Sequence, residues 1–316
     1  MHASEISRRR FLASTALGAC SLSCVNSFAA ATRKMTINMV CGNIGVNANQ
    51  VEAIELAHDF GFESVEAMPS FLASIEGGKL EELLGTMKSR NLSWGAAGLP
   101  VEFRQDEEKF KSGLKELPRL AAALEKAGVT RVGTWLSPGH RTLTYMENFR
   151  QHTQRLKEVA IILRDHRLRL GLEHVATKTS RERSKFPFIH TIAEMNELIG
   201  EISTGNVGHV LDSWHWWQAD ETAEDILALK ADEVMAADVN DAPANLPKEK
   251  QLDGQRELPM ATGVIPIGAF LNALNKIGFD GPVRAEPFNK RLNQMDNEEA
   301  CSETIAAMQK AFELLK

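Results

Sequence analysis

The 316-residue chain is poor in cysteine: it has four, and only Cys41 and Cys301 lie beyond the first thirty-one residues. Two cysteines so far apart cannot build a disulfide framework, which excludes a small stapled scaffold. Both are expected to pack as small apolar groups. There is no basic run, and acidic residues outnumber basic ones, 42 to 36, for a net charge of −6. That balance argues against nucleic acid or an anionic membrane as a partner. No apolar run approaches the roughly 20 residues that span a bilayer, so stable membrane insertion is not expected. No linker, low-complexity tract, short repeat or glycine-rich phosphate loop stands out.

The N-terminus carries a targeting pattern. Ser7-Arg8-Arg9-Arg10-Phe11-Leu12 sets paired arginines before a short apolar run that ends near Val25, and Ala29-Ala30-Ala31 offers small residues for cleavage. Residues 1–31 resemble a twin-arginine export signal, which implies a periplasmic or exported protein. Lipid attachment at Cys20 is the weaker alternative, because Gly18 fits a lipobox poorly. Cleavage near Ala31 removes three arginines and one glutamate, taking the net charge from −6 to −8. Residues 32–316 then form one domain.

Strand-like apolar runs alternate with amphipathic helices through eight cycles. The strands are read at 36–40, 64–67, 92–97, 129–132, 168–174, 207–212, 234–239 and 281–286. The helices are read at 51–60, 80–90, 107–127, 145–165, 191–202, 222–230, 270–277 and 298–315. Such an alternation predicts an α/β fold, a single (β/α)8 TIM barrel. One long irregular stretch, 241–266, follows the seventh strand, where loops of this architecture carry function.

Active residues of a barrel sit at the C-terminal ends of its strands. Five of the eight strands end in carboxylates: Glu66, Glu173, Asp212, Asp238 (with Asp241 just beyond) and Glu286. Each follows an apolar run, so each should be paired or should bind a metal. The ordinary alternative is structural ion pairing, with Arg284 as the inward-facing partner.

Three segments make the pattern specific: Leu211-Asp212-Ser213-Trp214-His215-Trp216, Val239-Asn240-Asp241-Ala242-Pro243, and Gly281-Pro282-Val283-Arg284-Ala285-Glu286-Pro287-Phe288. From Met35 onward the chain resembles the sugar phosphate isomerase/epimerase family, the xylose-isomerase-like barrels similar to D-tagatose 3-epimerase. That resemblance implies one divalent metal held by residues of strands five to eight, with Glu173, Asp212 and Glu286 filling three places. At the fourth place the family usually has histidine, and this chain has Asp238. Either Asp238 takes over, or His215 moves in, or the site is weaker. With Asp238 all four donors are oxygens, which favours Mn2+ or Mg2+ over Zn2+. The resemblance also implies that Glu173 and Glu286 transfer the proton beside a substrate carbonyl.

Further substrate contacts are expected from His215, Arg256, Lys178, Glu66 and Trp214. Trp214, Trp216 and Trp217 form either a sugar-stacking platform or a packed loop. The expected activity is isomerisation or epimerisation of an unphosphorylated keto-sugar or sugar derivative. A keto-glycoside lyase using the same metal site and a non-catalytic sugar-binding protein are the alternatives. DNA phosphodiester cleavage, found in a branch of similar barrels, is disfavoured by the few histidines and the acidic charge. A small-molecule sugar is the expected partner, and homo-oligomerisation stays open.

Overall fold

The computed structural model describes residues 33–316, and the expected export signal lies outside the described residues. Eight parallel strands run as β1 (Thr36–Met39), β2 (Ser64–Val65), β3 (Ser93–Trp94 and Ala97–Gly98), β4 (Arg131–Trp135), β5 (Arg169–Glu173), β6 (Val207–Asp212), β7 (Val234–Val239) and β8 (Pro282–Ala285). Helices follow as α1 (Gln50–Asp59), α2 (Lys79–Ser89), α3 (Glu107–Lys126), α4 (Tyr145–Asp165), α5 (Ile192–Ile202), α6 (Ala223–Leu227), α7 (Ile267–Ile277) and α8 (Asn297–Phe312). The sequence reading of a (β/α)8 barrel holds.

β3 closes the ring. Its first piece pairs with β2 and its second with β4, so one interrupted strand carries both sheet ends. The sequence reads 92–97 as one continuous strand. The interruption falls at Gly95, where an added Cβ would lie 2.2 Å from the Asn38 side chain.

The barrel floor is filled by Met235, Val210 and Ala236, all buried. They fit because the neighbouring strands carry glycine. A Cβ on Gly171 would meet Met235 Cβ at 2.7 Å, and one on Gly208 would meet the Glu233 carbonyl oxygen at 2.2 Å. Helices begin at side-chain caps: Asn49 for α1, Asp106 for α3, Thr144 for α4, Thr191 for α5 and Asp296 for α8. Cys41 and Cys301 are free and buried, as expected of small apolar groups. No helix among the described residues is long and apolar enough to cross a membrane.

An antiparallel ribbon outside the barrel, Gly139–His140 with Phe186–Pro187, has no counterpart in the sequence reading. α7 begins at Ile267, one residue after Pro266, rather than at Phe270.

Gly208→Ala should destabilise the protein by about 1–3 kcal/mol, because backbone blocks the new methyl. Gly200→Ala, in α5 with open space around it, should be neutral or stabilising by up to about 1 kcal/mol. Denaturant melts of the two variants test this; equal losses would contradict the packing described for the floor.

Candidate functional site

The register of β6, β7 and β8 sets Asp212, Asp238 and Arg284 side by side, in that order. Glu173 ends β5, and Glu286 follows β8. Four carboxylates thus converge at the C-terminal mouth of the barrel. Asp238 is fully buried and forms a two-point ion pair with the Arg284 guanidinium. Arg284 therefore points inward, as its strand parity predicts.

Arg256, also buried, reaches in from the long loop after β7. Its Nη1 donates to Asp212 Oδ2 at 2.7 Å and to Glu286 Oε2 at 3.1 Å, and its Nη2 donates to Asp253 Oδ1 at 2.8 Å. Asn240 fixes the carboxylates from behind: its Nδ2 donates to Asp212 Oδ1, and its Oδ1 accepts the Glu286 N–H. The loop that carries Arg256 is anchored by Asp241. Its carboxylate accepts the backbone N–H groups of Thr262, Gly263, Val264 and Ile265. Asp241 is thus a loop anchor.

Two guanidinium groups face five carboxylates, the four strand-end groups and Asp253, which leaves three negative charges in excess when all are ionised. The excess shows in the proton affinities. Burial, reinforced by Glu286, Asp212 and Asp238, raises Glu173 well above the usual carboxylate range. Burial and Asp238 push Glu286 up to about 8. Burial also raises Asp238, against the pull of Arg284. Glu173 Oε1 is buried and meets no hydrogen-bond donor. Two donor sets, Glu173–Asp212–His215 and Glu173–Asp238–Glu286, each converge within 4.8 Å. Orphaned oxygen, excess charge and convergence together fit one divalent cation.

His215 lies on the short helix Ser213–Gln218, and burial pushes its pKa down to about 3, so the ring is neutral. Its Nδ1 accepts the Ala176 N–H at 3.2 Å. Nε2 stands 3.6 to 3.8 Å from Asp253, Glu173 and Asp212. It also lies 3.2 Å from Arg256 Nη2, so each ring nitrogen of His215 faces an N–H donor.

The carboxylates open into a cavity of about 440 Å³, also lined by Asn43, Trp135, Asp253 and Phe288. A larger depression of about 900 Å³ at the opposite end of the barrel, lined by Arg169, Ser203, Lys230 and Asp232 among others, gathers no such cluster. Glu173, Glu286, His215 and Arg256 line the carboxylate cavity, with Asp212 and Asp238 beneath. Glu66 follows β2 and feels the charge of Arg284, is not among the residues lining this cavity, and has its pKa raised by burial. Two expected substrate contacts are corrected. Trp214 is 0% exposed, its indole N–H donates to Thr177 Oγ1 at 2.8 Å, and Arg256 lies over its ring. It offers no face to a sugar, because the short helix turns it into the core. Lys178 is exposed and pairs weakly with Glu182 on its own helix, away from the cavity.

The sequence reading missed Asp253, Asn43, Trp135 and Phe288. Asn43 donates to Glu286 Oε1 at 3.2 Å. Trp135 ends β4 and is 46% exposed; a large aromatic at a strand end was the available signal. Asp253 and Phe288 lie in loops, and Asn43 in the single 3-10 turn Cys41–Ile44, none with a periodic pattern.

The chain belongs to the xylose isomerase-like TIM barrel family, whose profile matches residues 54–311. An inosose isomerase of Bacillus velezensis is 22% identical over 258 residues, spanning 80% of this chain and 88% of that protein. A xylose isomerase domain protein of Alicyclobacillus acidocaldarius matches at TM-score 0.78 and 26% identity, over 89% of this chain and 99% of its own. The IOLI protein, solved with a bound zinc atom, matches at TM-score 0.73 and 20% identity, over 89% and 99% of the two chains.

In the metal-free protein, Glu286 at about 8 keeps a proton that an unfolded chain, at the ordinary 4.5, has lost. The folded state therefore binds more protons between these values, and its stability falls as pH rises through that window. The melting temperature of metal-free protein should drop by roughly 3 °C or more from pH 5 to pH 8. Glu286→Gln should flatten that slope, and an unchanged slope would show that Glu286 does not titrate there.

Proposed function

We propose that this protein is a divalent-metal-dependent isomerase or epimerase acting on an unphosphorylated keto-sugar or related polyhydroxy ketone. The observation that carries the reading is the convergence of Glu173 and Glu286, with Asp238, within 4.8 Å in one cavity. Glu173 is buried and Glu286 largely so, and both have raised proton affinity, as a proton-transfer pair requires. The likeness to an inosose isomerase supports the same class of chemistry.

Glu173, Asp212, Asp238 and Glu286 would hold the metal. His215 is the poorer fourth donor, since its Nε2 already faces the Arg256 guanidinium at 3.2 Å. Each Asp238 oxygen keeps a lone pair beyond the one that Arg284 uses. An all-oxygen set favours Mn2+ or Mg2+. A bound divalent ion supplies Lewis-acid polarisation of a carbonyl and its neighbouring hydroxyl.

The remaining steps belong to the chain's own groups. Glu173 removes the proton from the carbon beside the carbonyl, and the C–H electron pair moves toward the carbonyl oxygen. Glu286 returns a proton to the opposite face, giving the epimer, or to the neighbouring carbon, giving the isomer. Arg256 fixes the orientation of Glu286 and Asp212. It is the one cation lining the cavity among the described residues, and three carboxylates already engage it. A phosphate would therefore meet no free positive charge. The export pattern of residues 1–31 goes with this proposal, and N-terminal sequencing of protein recovered outside the cytoplasm checks it: the chain should begin near Thr32.

Two measurements test the reading. Metal analysis should find about one manganese or magnesium ion per chain, lost in Asp238→Ala and Glu286→Ala. In D₂O, the protein should place solvent deuterium beside the carbonyl of a keto-sugar, and Glu173→Gln should slow that by about 10²–10⁴-fold. Binding without exchange would leave a sugar-binding protein. A split product would mean β-elimination, which shares the first proton removal.

A further inference from the structure

Arg256 holds two of the oxygens assigned above to the metal. Asp212 Oδ1 accepts the Trp214 N–H at 2.8 Å and Asn240 Nδ2 at 3.0 Å, which uses both of its lone pairs. Asp212 therefore has only Oδ2 to offer a cation, and Arg256 Nη1 is bonded to it at 2.7 Å. The same nitrogen is bonded to Glu286 Oε2 at 3.1 Å, while Glu286 Oε1 faces the Asn43 amide.

The convergent donors fall into two triads, Glu173–Asp212–His215 and Glu173–Asp238–Glu286, which share only Glu173. Asp212 belongs to the first and Glu286 to the second, and Arg256 Nη1 bridges the two. Arg284 is placed differently. It pairs with Asp238 alone, from the neighbouring strand. A cation that bound both Asp212 Oδ2 and Glu286 Oε2 would enter the space around Nη1 against a like charge, at a cost of about several kcal/mol at 4 Å in a half-buried setting.

Little else has to move for Nη1 to let go. The backbone of Arg256 is pinned: its N–H donates to the Pro287 carbonyl and its carbonyl accepts Asn289 Nδ2, both at 3.1 Å. Its Nε donates to the Asp253 carbonyl at 2.9 Å and its Nη2 to Asp253 Oδ1 at 2.8 Å. Asp253 lies three residues earlier on the same loop, so the guanidinium keeps a charge partner when Nη1 turns. Room lies outside the carboxylate cavity. Arg256 also lines a neighbouring pocket of about 360 Å³, together with Gln255, Glu257, Phe288 and Asn289. Glu257 puts a carboxylate in that wall.

We infer that Arg256 is a built-in stand-in for the metal: Nη1 holds Asp212 and Glu286 together until a divalent cation takes those two oxygens and the guanidinium turns toward the neighbouring pocket. The inference rests on the metal-binding reading above. It makes metal binding and the position of Arg256 one coupled equilibrium, in which each opposes the other by the same factor.

The test uses the full protein, stripped with a chelator and then loaded with Mn2+, and reads Arg256 itself. Phenylglyoxal labels accessible guanidinium groups, and peptide mass spectrometry locates the label. Arg256 should label about tenfold faster with Mn2+ than without it, a typical coupling between two linked events. Arg167, 87% exposed, should label equally in both states, and Arg284, paired with buried Asp238, should stay protected. In calorimetry, Arg256→Met should bind Mn2+ about tenfold tighter than the wild type. Methionine removes the competing charge and keeps an apolar chain between the Trp214 and Phe288 rings. Mn2+ binding to the wild type with Arg256 still protected would overturn the inference and leave the metal reading intact. Equal or weaker Mn2+ binding by an Arg256→Met protein that melts like the wild type would do the same. No Mn2+ binding by either protein would sink the metal-dependent reading and this inference with it. Faster Arg256 labelling in a protein that exchanges no deuterium into keto-sugars would support the stand-in and sink the isomerase reading.

Discussion

The structure turns on charge buried where the barrel strands end. Glu173, Asp212, Asp238 and Glu286 are brought together by parallel register, which leaves side chains little freedom to move apart. Removing an ion from water costs about several kcal/mol even after relaxation, so this grouping persists only if something offsets it. Arg284 and Arg256 offset part, and they do so from different places. Arg284 comes from the barrel itself, at the register position beside Asp238. Arg256 comes from the loop after β7 and must be delivered.

That delivery ties the loop to the site. A stretch of this length without regular structure would ordinarily be loose. Here Asp241 gathers four backbone N–H groups from residues 262–265, and the Asp241–Glu257 bridge folds the loop back on itself. Arg256 is the neighbour of Glu257, so the bridge sets its backbone above the carboxylates. Asn240, one residue before the anchor, ties Asp212 to Glu286. Three consecutive features of the chain, a strand-end aspartate, an asparagine brace and an anchoring aspartate, thus organise both the site and its cover. Such support from behind holds the carboxylates in one geometry.

Much of this was legible in the sequence because parallel strands are apolar runs and their polar terminators are conspicuous. The four carboxylates, Arg256 and His215 could be named from position alone, and so could the inward turn of Arg284. What was not legible depends on distance in space. Nothing in the text around Asp253 or Asn43 signals that loops bring them to Glu286 and Arg256. Trp214 was misread for the converse reason: three tryptophans in four residues look like a surface platform, and only the short helix over Ser213–Gln218 reveals that Trp214 faces inward. The split of β3 was hidden because Gly95 matters through its contact with Asn38, two strands away.

The departure at position 238 is best understood as one half of a pair. The family pattern usually places histidine there, a neutral nitrogen donor. Aspartate adds a negative charge to a cluster already in excess, which by itself would make the site harder to build. Arg284, at the adjacent register position, returns that charge with a two-point hydrogen-bonded pair. The net charge left for a cation is then the same as with histidine and no arginine. On the proposed ligand set, what changes is the donor chemistry, from mixed nitrogen and oxygen to oxygen alone. Positions 238 and 284 are therefore coupled. Restoring histidine alone would strand a buried guanidinium, and removing Arg284 alone would strand a buried carboxylate.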